Sequence, residues 1–143
     1  DFFQTFATEL EGKIIVDVSN PIAPDGNGGF RKIIDEQESA GQILSNLIPK
    51  KAKLIKAFGT LGAGSLAGAA FSSPERKVLF YASASTNSNQ QIEELIVSSG
   101  FEPFHVGGID QSIRIEVFGD LHEFGRLGKT VTLEEAKKLL VNS

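Results

Sequence analysis

The sequence predicts an α/β domain: an incomplete, doubly wound parallel sheet with C-terminal helices. Three observations carry this. Apolar runs at residues 13–18, 54–58, 77–82 and 101–106 alternate with stretches of helical apolar spacing, as strands joined by crossover helices do. The run Ile14-Ile15-Val16 shows no polar alternation, which suits a strand covered on both faces. Glycines at 59, 62, 64 and 68 follow the second run, where open α/β sheets hold their ligands.

The elements follow in order. Phe2, Phe3, Phe6 and Leu10 share one helical face over residues 1–11, and Gly12 stands at the C-terminal cap. The first strand stops at Ser19-Asn20-Pro21, because proline lacks an N–H and restricts its predecessor. Residues 22–30 are rich in Gly and Pro, which predicts a loop without regular structure. A helix is expected over 39–48, with Ile43, Leu44, Leu47 and Ile48 as its apolar face. The 54–58 strand and its glycine loop lead to a short helix at 66–71, packed through small residues. After the third strand, Thr86 or Ser88 caps a helix to Ser99, which Gly100 ends. Pro103 makes the fourth strand an edge. Ile113, Val117, Leu121 and Phe124 predict one helix over 109–124, and Thr132-Leu-Glu-Glu135 is a capping box for a last helix to Leu140.

Composition excludes several functions. The chain has 143 residues, 41% of them hydrophobic, and a net charge of −4. That argues against nucleic acid, which wants a basic patch. No apolar run approaches the roughly 20 residues of a membrane span. With no cysteine there is no disulfide, thiolate metal site or cysteine nucleophile, and a cytoplasmic setting is expected. There is also no methionine, and the chain opens inside an amphipathic helix. Both suggest the C-terminal portion of a longer protein.

Candidate chemistry centres on few residues. The glycine loop approaches a dinucleotide fingerprint, but its last spacing is one residue too long. Ser83, Ser85, Thr86 and Asn87 stand where a ribose-binding acid belongs. Ser65 has alanines two residues away on each side, which rules out a nucleophile elbow. Asp120-Leu-His122-Glu123 has no second histidine at helical spacing, so no metal site is expected. His122 is read either as a proton donor or polar contact beside a redox ring or as an ordinary, partly exposed helix histidine. Asp17 lies inside an apolar strand and needs a backbone N–H or a basic partner. Arg114 and Glu116, two apart, do not share a helical face and pair elsewhere.

Three segments together resemble a known family. They are Val16-Asp17-Val-Ser-Asn20-Pro21, Lys56-Ala57-Phe58-Gly59-Thr60, and Gly107-Gly-Ile-Asp-Gln-Ser-Ile-Arg114-Ile-Glu116. Their order and spacing are similar to those of the deazaflavin (coenzyme F-420)-dependent NADP oxidoreductases and related dinucleotide-binding proteins, over roughly residues 10–118. The resemblance implies that residues 1–108 are the second half of a Rossmann-type domain, its glycine-fingerprint half lying upstream, and that 109–143 form a C-terminal helical segment. It implies NADP or NAD as cofactor, with Asn20, Pro21, Ala57, Phe58, Gly59 and Thr60 on the nicotinamide side. Asn20 and Thr60 would hold ribose or carboxamide, Phe58 and Pro21 would pack the ring, and His122 would touch the acceptor as the catalytic candidate. Gly59 replaces the asparagine of the common family form. Nicotinamide chemistry therefore carries over, while the acceptor, a flavin or deazaflavin or another small molecule, stays open. Phe118 and Phe124 suggest a homodimer face. Two rival readings remain: a cofactor-free interaction or regulatory domain, and a small enzyme that binds an anion at residues 62–65.

Overall fold

The computed structural model describes residues 1–141; the last two residues of the expected 109–143 segment lie outside them. The N-terminal helix comes in two pieces, α1 (Phe2–Thr5) and α2 (Ala7–Leu10), interrupted at Phe6. Its aromatic face exists, but Phe2 and Phe6 are exposed and pack mainly on each other's rings. Strand β1 (Ile14–Asp17) follows, with Ile14, Ile15 and Val16 only part-buried. The expected cover on both faces is not met, because β1 is a sheet edge.

Residues 22–30 are not irregular. They form an antiparallel hairpin of β2 (Ile22–Pro24) and β3 (Phe30–Lys32). Asp25 organises its tip, accepting from the N–H groups of Asn27 and Gly29. Such an Asx turn lets a Gly-rich stretch reverse in register. Helix α3 (Ala40–Ser45) is shorter than the expected 39–48, with Ser39 as its N-cap. Strand β4 (Lys53–Lys56) leads into the glycine loop and α4 (Ala63–Ala69).

Strand β5 (Val78–Ser83) is the centre, with all six residues buried. Its alternation builds two cores. Leu79 and Tyr81 join Ile55, Leu61, Ile92, Ile96 and Phe101 on one face. Val78, Phe80 and Ala82 join Ile115, Leu121, Val131 and Ala136 on the other. Period-2 side chains on a strand covered from both sides require this division. Helix α5 (Asn89–Ser98) then crosses to β6 (Glu102–Gly107), which is an edge as Pro103 predicts.

The fold is mixed α/β with a mostly parallel four-stranded sheet of order β1-β4-β5-β6. β1/β4 and β5/β6 are parallel, while β4/β5 is antiparallel. The reversal follows from the connection. The glycine loop and the seven-residue α4 bring the chain back to the end of the sheet it left, whereas α5 carries it across. Residues 109–124 do not form one helix either. A 3-10 turn at Ile109–Gln111 runs into the single-turn α6 (Ser112–Ile115), and Glu116 breaks it with extended backbone. The apolar spacing survives because Ile115, Val117 and Leu121 are buried from an irregular chain. Helix α7 (Leu133–Val141) carries the predicted capping box: Glu135 accepts from the Thr132 N–H at 2.8 Å, and Thr132 Oγ1 accepts from the Glu135 N–H at 3.4 Å. Among the described residues no helix is long and apolar enough to cross a membrane.

Candidate functional site

The loops after β1 and β4 leave the sheet side by side, because these strands are parallel with Asp17 opposite Lys56. That cross-strand pair starts a buried charge network. Lys56 Nζ donates to Asp17 Oδ2 at 2.7 Å and to the Ser19 carbonyl at 2.5 Å. It also lies 3.4 Å from Glu116 Oε1. All three ammonium protons thus have an acceptor in reach. Burial alone would raise the Asp17 carboxyl, but hydrogen bonds from Lys56 and Ser19 outweigh it and hold it below its ordinary value.

Glu116 extends the network. Its carboxylate accepts from the N–H groups of Ala40 and Gly41, each at 2.8 Å. These are free amides of the first turn of α3, which favour a negative charge. Next to them Ser39 and Ser112 hydroxyls share a 2.8 Å bond. A Cβ on Gly41 would stand 2.5 Å from Ser112 Oγ, so only glycine lets α6 approach so closely.

Asn20 ties the loops together. Its Nδ2 donates to the Gly59 carbonyl at 2.9 Å, and its Oδ1 accepts from the Val117 N–H at 2.9 Å. His122 Nε2 donates to the same carbonyl at 2.8 Å, while Nδ1 accepts from the Phe124 N–H. This pattern requires the neutral ring, and burial accordingly pulls the His122 pKa below its ordinary value against the pull of Gly59 and Glu123. Pro21 is buried, and its carbonyl accepts from Ile33 where the hairpin begins. Ala57 is buried. Phe58 adopts φ +65°, a left-handed backbone unusual for an aromatic residue and of the kind that gathers at ligand sites. A Cβ on Gly59 would lie 2.9 Å from the Val18 carbonyl, so this backbone has no room for the family's asparagine without moving.

All seven predicted site residues therefore meet at the exit of β1 and β4, but two face differently from expectation. The Thr60 hydroxyl points inward, 3.4 Å from the Phe80 carbonyl. His122 is 1% exposed with both nitrogens used, so it braces the Gly59 carbonyl from behind. The expected partly exposed helix histidine is instead a buried one on irregular backbone.

The glycine loop is also engaged. The Glu123 carboxylate accepts from the Gly62 N–H at 2.8 Å and from the Ser65 hydroxyl. The Gly62 amide and the Ser65 hydroxyl, which the anion-binding reading needs for an external ligand, hold the chain's own carboxylate. Ser83 pairs with Ile55, and the chain beyond it runs away from the loops after β1 and β4, because β5 is antiparallel to β4. The Ser83 hydroxyl meets Asn89 at 2.7 Å and His105 at 3.0 Å. No group of three His, Cys, Asp or Glu residues arranged for a metal occurs among the described residues.

The cooperation of Lys56 and Glu116 with Asp17 escaped sequence reasoning. The signal was one charge in each of two neighbouring apolar strands, Asp17 and Lys56, which parallel pairing brings opposite each other.

The fold has known relatives. It matches the crystal structure of a hypothetical protein from Sinorhizobium meliloti, with 28% identity over 91% of this chain and a TM-score of 0.69. It also matches a "putative" NADP reductase dependent on coenzyme F-420 from Arthrobacter sp. FB24, with 21% identity over 76% of this chain and a TM-score of 0.65. The chain spans 62% of the first protein's length and 49% of the second's. No family model and no curated protein matches it. The likeness establishes the Rossmann-like α/β fold that this chain shares with an NADP-reductase structure.

Proposed function

We propose that the chain forms the nicotinamide-side wall of an NAD(P)-dependent oxidoreductase, with residues 1–108 as the second half of its dinucleotide-binding domain. One observation carries this: the three segments that resemble the family, far apart in sequence, are locked into one wall by Asn20, Lys56 and Glu116. That wall stands at the C-terminal ends of two parallel strands, where such folds hold dinucleotides. The residues fit a flat ring. Phe58 is only part-buried and takes a left-handed backbone of the kind found at ligand sites, and a cavity of about 260 Å³ lies alongside, lined by Lys32, Glu116, Val117 and Phe118.

Held against this wall, a nicotinamide would supply hydride chemistry toward a flavin-type or other small-molecule acceptor. The chain's own part is positional. Asn20 retains one amide hydrogen for a ligand, Pro21 and Phe58 shape the ring's surroundings, and Ala57, Gly59 and Thr60 set the loop backbone. His122 is a positioning residue that holds the Gly59 carbonyl.

Amide NMR shifts of the 143-residue chain test this reading, with reduced nicotinamide mononucleotide and adenosine 2′,5′-bisphosphate as separate probes. The mononucleotide should move signals of residues 19–21 and 57–60, and the bisphosphate should leave them in place. Movement of 62–65 by the bisphosphate instead would put the phosphate on the glycine loop and overturn the placement. Silence toward both probes would favour the rival reading, an interaction domain. The carboxylate of Glu123 on the glycine loop is the observation on that side.

A further inference from the structure

A cavity lies away from the cofactor wall, between α7 and the irregular segment that follows α6. It measures about 510 Å³, within the size range of sites for small organic ligands. Its floor is core: Leu121 and Val131 are 3% and 1% exposed and belong to the cluster on that face of β5. Leu127 and Leu139 complete the apolar lining.

Its polar rim is cationic, in a chain whose net charge is −4. Arg114, Arg126, Lys129 and Lys138 face two carboxylates, Asp120 and Glu135. Arg114 holds Asp120 through Nε and Nη2, at 3.1 and 2.7 Å, and keeps three further N–H donors. Lys129 pairs with Glu135 at 2.8 Å, and Lys138 with Glu134 at 2.7 Å. Arg126 has neither a hydrogen bond nor an ion pair among the described residues. An apolar floor beneath a rim with spare guanidinium donors suits one chemistry: a carboxylate or phosphate monoester on an apolar body.

We propose that this cavity binds a small amphipathic organic anion, with the acid group on Arg126 and Arg114 and the apolar body over Leu121 and Val131. It is a second site. None of the cofactor-wall residues Asn20, Pro21 or 57–60 lines it. Arg114 and Asp120 also line the smaller cavity beside that wall, so an occupant would touch the partition between the two.

The test is a titration of the 143-residue chain with hexyl phosphate, hexanol and inorganic phosphate, followed by amide NMR. Hexyl phosphate should move signals of residues 126–131 and 135–139, binding at least about tenfold more tightly than either control, since a charge-assisted bond and apolar burial act together. Arg126→Glu should weaken it about tenfold or more. Leu139→Trp, on an exposed helix position, should fill the cavity and abolish the shifts without unfolding the chain. Equal binding of hexanol would overturn the proposal. So would shifts centred on Phe2 and Phe6, indifference to both variants, or no shift with hexyl phosphate at millimolar concentration. The signals of 19–21 and 57–60 report the nicotinamide reading separately, so either can fail alone.

Discussion

Two carboxylates of the same C-terminal segment, Glu116 and Glu123, each grip the start of a short helix, yet they do so in different settings. Glu116 is 2% exposed, takes two amides of α3 and shares Lys56 with Asp17. Glu123 is only part-buried, takes one amide and one hydroxyl of α4, and forms no ion pair with Lys or Arg among the described residues. The first is a closed network that positions two strand ends, in which every member depends on the others. The second is a cap on a glycine loop, replaceable by water. What separates them is the buried cation, because a charge removed from water needs a partner that stays.

The largest effect should come from Lys56→Met. It leaves Asp17 and Glu116 buried without their cation, and urea unfolding should show a loss of about 3–5 kcal/mol. Adding Asp17→Asn and Glu116→Gln should recover most of that loss. If the single variant costs no more than a surface substitution, the network is not closed and the contrast with Glu123 falls.

Gly41→Ala should cost about 1–3 kcal/mol, the usual penalty of overpacking, because its Cβ would stand 2.5 Å from Ser112 Oγ. Pairing it with Ser112→Gly should restore part of the stability. Absence of rescue would mean that α3 and α6 do not meet there.

Glu123→Gln should lose about 0.5–2 kcal/mol, as helix caps do. The midpoint of thermal unfolding should move less than for Lys56→Met. The reverse ranking would break the comparison.

The smallest effect is one of pH. The His122 pKa lies below its ordinary value of 6.5, so the unfolded chain binds the proton more readily. Its contribution to stability is complete above 6.5 and is lost as pH falls through the folded value. Unfolding midpoints should therefore decline from pH 7.5 toward 5, more shallowly in His122→Gln. The lowered Asp17 pKa acts in the same direction, but only as pH falls below 3.8. Identical slopes in wild type and His122→Gln above pH 5 would show that the ring is not held neutral.

Much of the fold was legible along the chain. The four strands, the helix before Gly100, the capping box at Thr132 and the edge at Pro103 follow from period and local chemistry, which act over a few residues. The neighbourhood of Asn20, Pro21 and residues 57–60 follows as well, since they leave the ends of two adjacent parallel strands. The hairpin at 22–32 was not legible, because its register depends on Asp25 binding amides across its own tip. The antiparallel turn of the sheet at β4/β5 was hidden as well, because strand direction depends on where the connection ends in space.

The sequence alone determined that the chain is α/β, that a glycine-rich loop follows β4, and that Asp17 needs a partner. Tertiary structure alone decided that the partner is Lys56, that Glu116 completes the network, and that His122 faces inward. It also decided that Glu123 takes the Gly62 amide and the Ser65 hydroxyl of the glycine loop. The reason is physical. Periodicity and turn chemistry are written in neighbours, whereas a buried charge is satisfied by whichever group the packed sheet brings within about 3 Å.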